Sequence, residues 1–133
     1  MGAGAETRTF GAPHWPLEIR LKKAEKALEI DFDDGARFRF PAELLRVESP
    51  SAEVQGHGPS QKLIVAGRAH VGILALEPVG NYAIRIKFDD LHDTGIFSWA
   101  YLYELGLKQD ELWANYLKAL AARGLSREPQ SRG

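Results

Sequence analysis

The stretch LEIRLKKAEKALEIDFDDGARFRF, residues 17–40, decides the fold. Within it, apolar and charged residues alternate in three short runs, at 17–22, 28–32 and 36–40. Strict alternation places one set of side chains on each face of a strand, so each run predicts a half-buried β-strand. Three such strands in series, joined by short connections, predict an antiparallel meander.

The loop between the second and third strands determines the register of this meander. A two-residue loop at Asp34-Gly35 would place Phe32 opposite Arg37 and mix the apolar and charged faces. A three-residue loop that ends at Gly35 keeps the faces separate, and glycine suits the left-handed position that such a loop requires. The predicted pairs are Phe32 with Ala36, Ile30 with Phe38, Leu28 with Phe40, Asp31 with Arg37 and Glu29 with Arg39, and, for the first two strands, Leu21 with Leu28, Ile19 with Ile30 and Arg20 with Glu29.

The rest of the chain predicts a second hairpin followed by helices. Strands are expected at 71–77 and 82–88, and a short apolar run at 63–65 predicts one more. Ser98 can cap a helix that ends before Gly106, and helical spacing of apolar residues predicts a second helix over 108–123. We therefore expect an α+β fold, in which the meander and the second hairpin form a small sheet and helices lie at the C-terminal end.

The two ends of the chain differ in composition from this core. Residues 1–16 are dominated by Gly, Ala, Pro and Thr without periodicity, so we expect a flexible leader. Residues 125–133 are polar and contain Pro129, so we expect a flexible tail. The folded domain is predicted to span residues 17–124.

Composition restricts the class of function. The 133 residues include 17 Lys and Arg against 18 Asp and Glu, a balance that argues against nucleic-acid binding, because such domains are usually basic. The absence of Cys excludes disulfides, thiolate metal ligands and a Cys nucleophile. No apolar run approaches the roughly 20 residues that cross a bilayer, and the N-terminal sequence lacks the features of a signal peptide. We expect a cytoplasmic protein without membrane contact.

Histidines are the candidates for metal binding, and His92 is the strongest of the four because Asp89, Asp90 and Asp93 surround it. An imidazole among carboxylates can bind a cation, or its ring can hydrogen-bond a carboxylate and fix the loop. His57 stands between two glycines, where a side chain can approach a metal or a phosphate. His92, Asp90, Asp93 and His57 are therefore the predicted set for iron or another divalent ion.

No sequence pattern assembles a catalytic set, so we expect no enzyme activity. None of the histidines has Asp or Glu two residues later, the element typical of iron oxygenases. A phosphate-binding loop, a dinucleotide-binding glycine pattern and a nucleophile elbow are also missing from the sequence. The aromatic cluster favours core packing, with a self-association patch, and hence a homo-oligomer, as the alternative; it comprises Phe97, Trp99, Tyr101 and Tyr103.

Two stretches resemble the signatures of a known family. Residues 45–58, LRVESPSAEVQGHG, are similar to the first signature of the gamma-butyrobetaine hydroxylase-like N-terminal domain family, and residues 77–82 (EPVGNY) with 88–99 (FDDLHDTGIFSW) are similar to the second. The similarity extends from about residue 17 to residue 106. It implies a small domain that precedes an iron- and 2-oxoglutarate-dependent oxygenase domain in carnitine-pathway hydroxylases, stands alone in bacterial members without an assigned function, and has a relative in plastid scaffold ATPases of iron–sulfur assembly.

The resemblance also implies a structural zinc site, held by three Cys and one His, which this sequence does not retain. His92 matches the zinc-binding His, and the three Cys positions fall near Ser49, Ser51 and Val54. None of these three residues is a thiolate ligand, and one His cannot complete a four-ligand zinc site. We therefore expect hydrogen bonds and packing from the 49–57 loop to His92 to replace the metal.

Taken together, the sequence predicts a stand-alone, non-catalytic domain that binds a protein partner, with a link to iron or iron–sulfur metabolism implied by the resemblance. The partner surface is expected at the 49–58 and 89–95 loops, with His57, His92 and Trp99 as contacts. The alternative is a metal-binding protein that uses His92 and its neighbouring carboxylates.

Overall fold

The computed structural model describes residues 14–56 and 62–129, and the strands within these ranges form two antiparallel three-stranded sheets. The first sheet contains β1 (Pro16–Lys22), β2 (Ala27–Phe32) and β3 (Arg37–Pro41), and the second contains β4 (Ile73–Val79), β5 (Ala83–Phe88) and β6 (Ile96–Ser98). The helices are α1 (Ala42–Val47), α2 (Ala52–Gln55), α3 (Trp99–Leu107) and α4 (Gln109–Ala122). The predicted α+β class, with helices at the C-terminal end, is confirmed.

The register of the first sheet is the predicted one. Gly35 has a φ of +93° at the end of the three-residue loop, as the loop length requires. On the outer face, Arg39 Nη1 lies 2.7 Å from Glu29 Oε2. The observed pairs include Ile30 with Phe38, Leu28 with Phe40, Glu29 with Arg39 and Asp31 with Arg37, and Leu21 with Leu28, Ile19 with Ile30 and Arg20 with Glu29.

The core lies between the inner faces of the two sheets and α3. Four phenylalanines are its largest fully buried side chains: Phe32, Phe40, Phe88 and Phe97. Trp99 is buried in the same cluster, and Tyr101 and Tyr103 pack against it, so the aromatic cluster belongs to the core. A second, smaller cluster joins α1, α2 and α4; it contains Val47, Val54, Val65, Tyr116 and Leu120.

Two local predictions are wrong. The run at 63–65 is not a strand; Val65 instead packs in the second cluster, where its carbonyl accepts a hydrogen bond of 2.6 Å from the Tyr116 hydroxyl. Gly106 does not end α3, which continues to Leu107. A Cβ at position 106 would lie 2.4 Å from the Phe38 ring, so this glycine permits close contact between a helix and a strand.

Part of the expected tail lies within the described residues and contacts the fold. The Gly67 N–H donates to Ser126 O and the Ala69 N–H donates to Arg127 O, both at 2.9 Å. Residues 1–13 and 130–133 lie outside the described residues, as does His57. Over the ranges that the structure describes, no helix combines the length and the apolar character that a membrane crossing requires.

Candidate functional site

Two loops that the sequence singles out lie against each other, residues 49–56 and residues 89–95. Ser49 Oγ lies 2.9 Å from His92 Nε2, and Ser51 Oγ lies 2.6 Å from Thr94 Oγ1. A Cβ added to Gly95 would lie 2.4 Å from Ser49 Oγ, so the close approach of the loops depends on this glycine. The loops therefore form one unit, which we call the paired loops.

The short helix α2 directs a carboxylate at the His92 ring. Ser51 caps this helix, because its Oγ accepts a hydrogen bond of 3.1 Å from the Glu53 N–H. Gln55 Nε2 donates to Ser49 O at 2.8 Å and ties the end of the helix back to its start. In this position Glu53 Oε1 lies 3.1 Å from His92 Nδ1.

The contacts of His92 fix the protonation of its ring. An ionised Glu53 can only accept, so Nδ1 carries the hydrogen, and Nε2 of a neutral ring is then an acceptor. Ser49 Oγ already accepts from the Ser51 N–H at 3.2 Å and can donate its own hydrogen to Nε2. Burial, and then the nearby charge of Arg46, lower the pKa of His92. The ring is therefore neutral, buried and bonded at both nitrogens.

Asp90 joins the paired loops to two arginines. Its Oδ2 accepts from Arg46 Nε and from Arg68 Nε, both at 2.7 Å, and its Oδ1 accepts from the His92 N–H at 3.2 Å. Burial opposes ionisation of Asp90, but the hydrogen bonds from Arg46 and from the His92 N–H outweigh it and hold the pKa of this carboxyl below its ordinary value. Asp90 is thus an ionised residue that braces the 89–95 loop by binding it to Arg46 and Arg68.

Leu91, which the sequence analysis did not single out, lies at the tip of this braced loop. It has a φ of +75°, and 84% of its surface is exposed. Its N–H donates to Phe88 O at 3.1 Å, and the Phe88 N–H donates to His92 O at 3.0 Å. A left-handed conformation costs a non-glycine residue about 1–2 kcal/mol. The fold therefore holds an apolar side chain outward in a strained conformation.

The first sheet contains the same turn with glycine in place of leucine. The sequence FDDG at 32–35 corresponds to FDDL at 88–91. In the first turn the Gly35 N–H donates to Phe32 O at 3.1 Å and the Phe32 N–H donates to Ala36 O at 2.8 Å, the same two bonds that close the second turn. This repeat is the sequence signal that could have identified Leu91, because the three-residue loop requires a left-handed residue at its third position.

Of the predicted metal ligands, His57 lies outside the described residues, and Asp90, Asp93 and His92 do not form a metal-binding group. Asp90 is engaged by Arg46 and Arg68, Asp93 is exposed, and both ring nitrogens of His92 have hydrogen-bond partners. Within residues 14–56 and 62–129, no group of three or more His, Asp or Glu side chains is arranged to hold a metal ion. Trp99 is 7% exposed and donates its Nε1–H to Asn81 O at 2.9 Å. His92 and Trp99 are therefore covered by the fold.

The side chains around His92 also do not fit the zinc ion that the resemblance implies. Ser49 and Ser51 offer hydroxyls instead of thiolates, and these bond His92 and Thr94. Val54 is buried and apolar. The expected hydrogen bond from the 49–57 loop to His92 is confirmed by the Ser49 contact.

Comparison with known proteins decides the family. The model of the family described as "Gamma-butyrobetaine hydroxylase-like, N-terminal" matches residues 19–103, which include both of the paired loops. The chain belongs to this family. No curated protein matches the chain.

Solved structures similar to this family member cover most of the chain. One NMR solution structure is 48% identical, with a TM-score of 0.77, and the match covers 89% of this chain and 93% of the other. A second NMR solution structure is 49% identical, with a TM-score of 0.75, and the match covers 88% of this chain and 87% of the other. A crystal structure of a DUF971 family protein with unknown function from Acidithiobacillus ferrooxidans is 42% identical, with a TM-score of 0.58. That match covers 68% of this chain and 91% of the other.

We expect the stability of the protein to fall below about pH 7 in a manner that depends on His92. The pKa of its folded form lies below the ordinary value of 6.5, so the unfolded chain takes up a proton first as the pH falls. The stabilisation by the neutral ring is complete above pH 6.5 and is lost as the pH falls from there through the lower pKa of the folded form. Urea unfolding at pH 7.5 and pH 5 should show a smaller loss for His92→Gln than for the wild type; equal losses would contradict the prediction.

Proposed function

We propose that this family member is a non-catalytic protein-interaction module whose paired loops present Leu91 to a partner. The observation that carries the proposal is the exposed, left-handed Leu91 on a fixed turn. The turn at Gly35 shows that the same backbone is made with a glycine. Leu91 therefore introduces conformational strain and exposes an apolar side chain to water. A binding role accounts for both features.

The paired loops are suited to binding because several buried or half-buried hydrogen bonds hold their conformation. Asp90 binds Arg46 and Arg68, Ser49 binds His92, and Ser51 binds Thr94; together these contacts fix the turn from below. A preorganised loop loses little conformational entropy when a partner binds, so more of the contact energy contributes to affinity. The buried His92 thus contributes as a support for Leu91.

The charges around Leu91 indicate the chemistry of the partner. Apart from His92, which is neutral, the ionisable side chains of the paired loops are all carboxylates. Asp90 is neutralised by its arginines, whereas Glu53, Asp89 and Asp93 are exposed. A complementary surface has an apolar pocket for the leucine and Lys or Arg around the rim.

Catalysis and metal binding have weaker support. Both nitrogens of the His92 ring are bonded, so neither is free to move a proton for a substrate or to bind an ion. A link to iron or iron–sulfur metabolism rests on the resemblance alone, and the proposal is made without it. Elemental analysis of untagged protein tests the metal alternative: one equivalent of metal that is lost in His92→Ala would favour it.

The test is to capture a partner from the lysate of the native cells on the immobilised wild-type protein. The amount retained is then compared with the amount that Leu91→Gly retains. Because a central apolar anchor contributes about 2 kcal/mol or more, the variant should retain the partner about 30-fold more weakly. Leu17→Asn is the matched control, since Leu17 is also exposed, on β1, and lies outside the paired loops. A partner held equally by all three proteins would contradict the proposal, as would the absence of any reproducible partner.

A further inference from the structure

The chain's own segment 125–129 lies against the fold and places Arg127 at the wall of a cleft. Arg127 Nη2 lies 2.7 Å from Glu43 Oε1, and Arg127 Nε lies 2.9 Å from Glu43 Oε2. The guanidinium carbon also lies 5.2 Å from the centre of the Trp113 ring. The hydrogen bonds from the N–H groups of Gly67 and Ala69 to the segment complete the contact. We call this place the Glu43 cleft.

The receptor side of the Glu43 cleft is built into the fold. Glu43 lies on α1 between β3 and the core residues Leu44 and Leu45, and only 6% of its surface is exposed. Trp113 lies on α4 and packs against both hydrophobic clusters. Both residues thus belong to helices that pack on the core of the protein and lie outside segment 125–129.

Segment 125–129, which contacts the Glu43 cleft, is exposed where Glu43 is buried. Every residue of segment 125–129 is exposed, and the Arg127 side chain is 45% exposed while it holds the buried carboxylate. A buried carboxylate requires a cation, and a guanidinium fits it with two parallel hydrogen bonds. Segment 125–129 bends at residues 127–128 and is held by one charged anchor and two main-chain hydrogen bonds, a combination that also serves in peptide recognition.

The cleft has room and charge beyond what Arg127 uses. Its open volume beside Arg127 is about 340 Å³, and its other lining residues include Asp110 and the apolar Pro41 and Leu44. Two carboxylates and an indole ring in one cleft select a cationic, planar side chain, and arginine suits such a site better than lysine does. The charges thus match an arginine and disfavour an acidic segment.

We propose that the Glu43 cleft is a docking site for an arginine-bearing segment of a partner protein, whose place at the Glu43 carboxylate Arg127 takes in cis. The segment then acts as a tethered competitor, and binding of the partner requires its displacement. This site is separate from Leu91 and does not depend on the function proposed for the paired loops.

The test measures binding of a fluorescent peptide, GLSREP, to the full chain carrying Arg127→Ala. The peptide should bind this variant with a Kd below about 1 mM and bind the wild type at least about tenfold more weakly, because the tethered segment competes. A peptide with Lys in place of Arg should bind about tenfold more weakly than GLSREP. Arg127→Ala combined with Glu43→Gln is the matched control and should lose the binding.

Several outcomes would overturn the proposal. One is the absence of binding up to about 1 mM, and another is equal binding of peptides with Arg or Ala. If circular dichroism shows that Arg127→Ala is unfolded, Arg127→Lys replaces it, and the same comparison of peptides decides. A wild-type dimer that forms with increasing concentration and is lost in Glu43→Gln would assign the cleft to segment 125–129 of a second copy, and this result would also overturn the partner assignment.

Discussion

Replacing Asp90 by Ala is expected to lower the free energy of unfolding by about 3 kcal/mol, because it leaves a buried guanidinium without its carboxylate. The Arg46 side chain is 9% exposed and its Nε donates to Asp90 at 2.7 Å. Nη1 of Arg46 is buried without a hydrogen-bond partner among the described residues. The ion pair with Asp90 therefore provides much of the stabilisation of the buried guanidinium charge. The change also releases Arg68 and removes the acceptor of the His92 N–H.

Urea or thermal unfolding measures this loss, with a neighbouring carboxylate as the control. Asp93 is exposed in the same loop, and Asp93→Ala should change stability by no more than about 0.5 kcal/mol. Adding Arg46→Met to Asp90→Ala should restore part of the loss, since the unpaired charge is then gone. If Asp90→Ala costs no more than Asp93→Ala, Asp90 does not brace the loop.

Replacing Ser49 by Ala is expected to lower the free energy of unfolding by about 2 kcal/mol, because two buried groups lose their partner. Ser49 is fully buried, and its Oγ bonds both His92 Nε2 and the Ser51 N–H. Alanine fits the space but satisfies neither group. The loss should appear in urea unfolding as a lower midpoint with an unchanged slope.

A serine outside the paired loops provides the control for this change. Ser126 is exposed and its Oγ accepts only a local bond from the Glu128 N–H, so Ser126→Ala should cost about 0.5 kcal/mol or less. The Ser49→Ala effect should also become smaller in a His92→Phe background, because the imidazole nitrogen that Ser49 Oγ contacts is then absent. Equal costs for the two serine variants would show that the buried contacts of Ser49 with His92 and Ser51 do not stabilise the paired loops.

The first sheet could be predicted from the sequence because local signals agree there. The apolar faces, the charge pair of Glu29 with Arg39 and the left-handed Gly35 all fit one register. The second cluster could not be predicted in this way, since Val65 is buried by side chains distant in the chain and not by strand pairing. Gly106 was misread as a helix end because the ring of Phe38, which requires the glycine, comes from another element.

The site could be predicted only in part. The acidic neighbours of His92 single it out in the sequence, and the resemblance implies its contact with the 49–57 loop. The partners of Asp90 could not be predicted, because Arg46 and Arg68 are 44 and 22 residues away. These arginines turn a candidate metal ligand into a structural brace. Leu91 was overlooked in a polar segment, although the FDDG and FDDL repeats assign it a left-handed position.

The stability of Leu91→Gly tests most directly whether the left-handed, exposed conformation of Leu91 destabilises the fold. Relief of the left-handed strain, less the greater freedom of glycine in the unfolded chain, should raise the free energy of unfolding by about 1 kcal/mol. Gly35 provides the internal precedent for the same turn. A urea unfolding midpoint above that of the wild type is the predicted result. A midpoint below it would show that Leu91 supports the fold and would contradict the account.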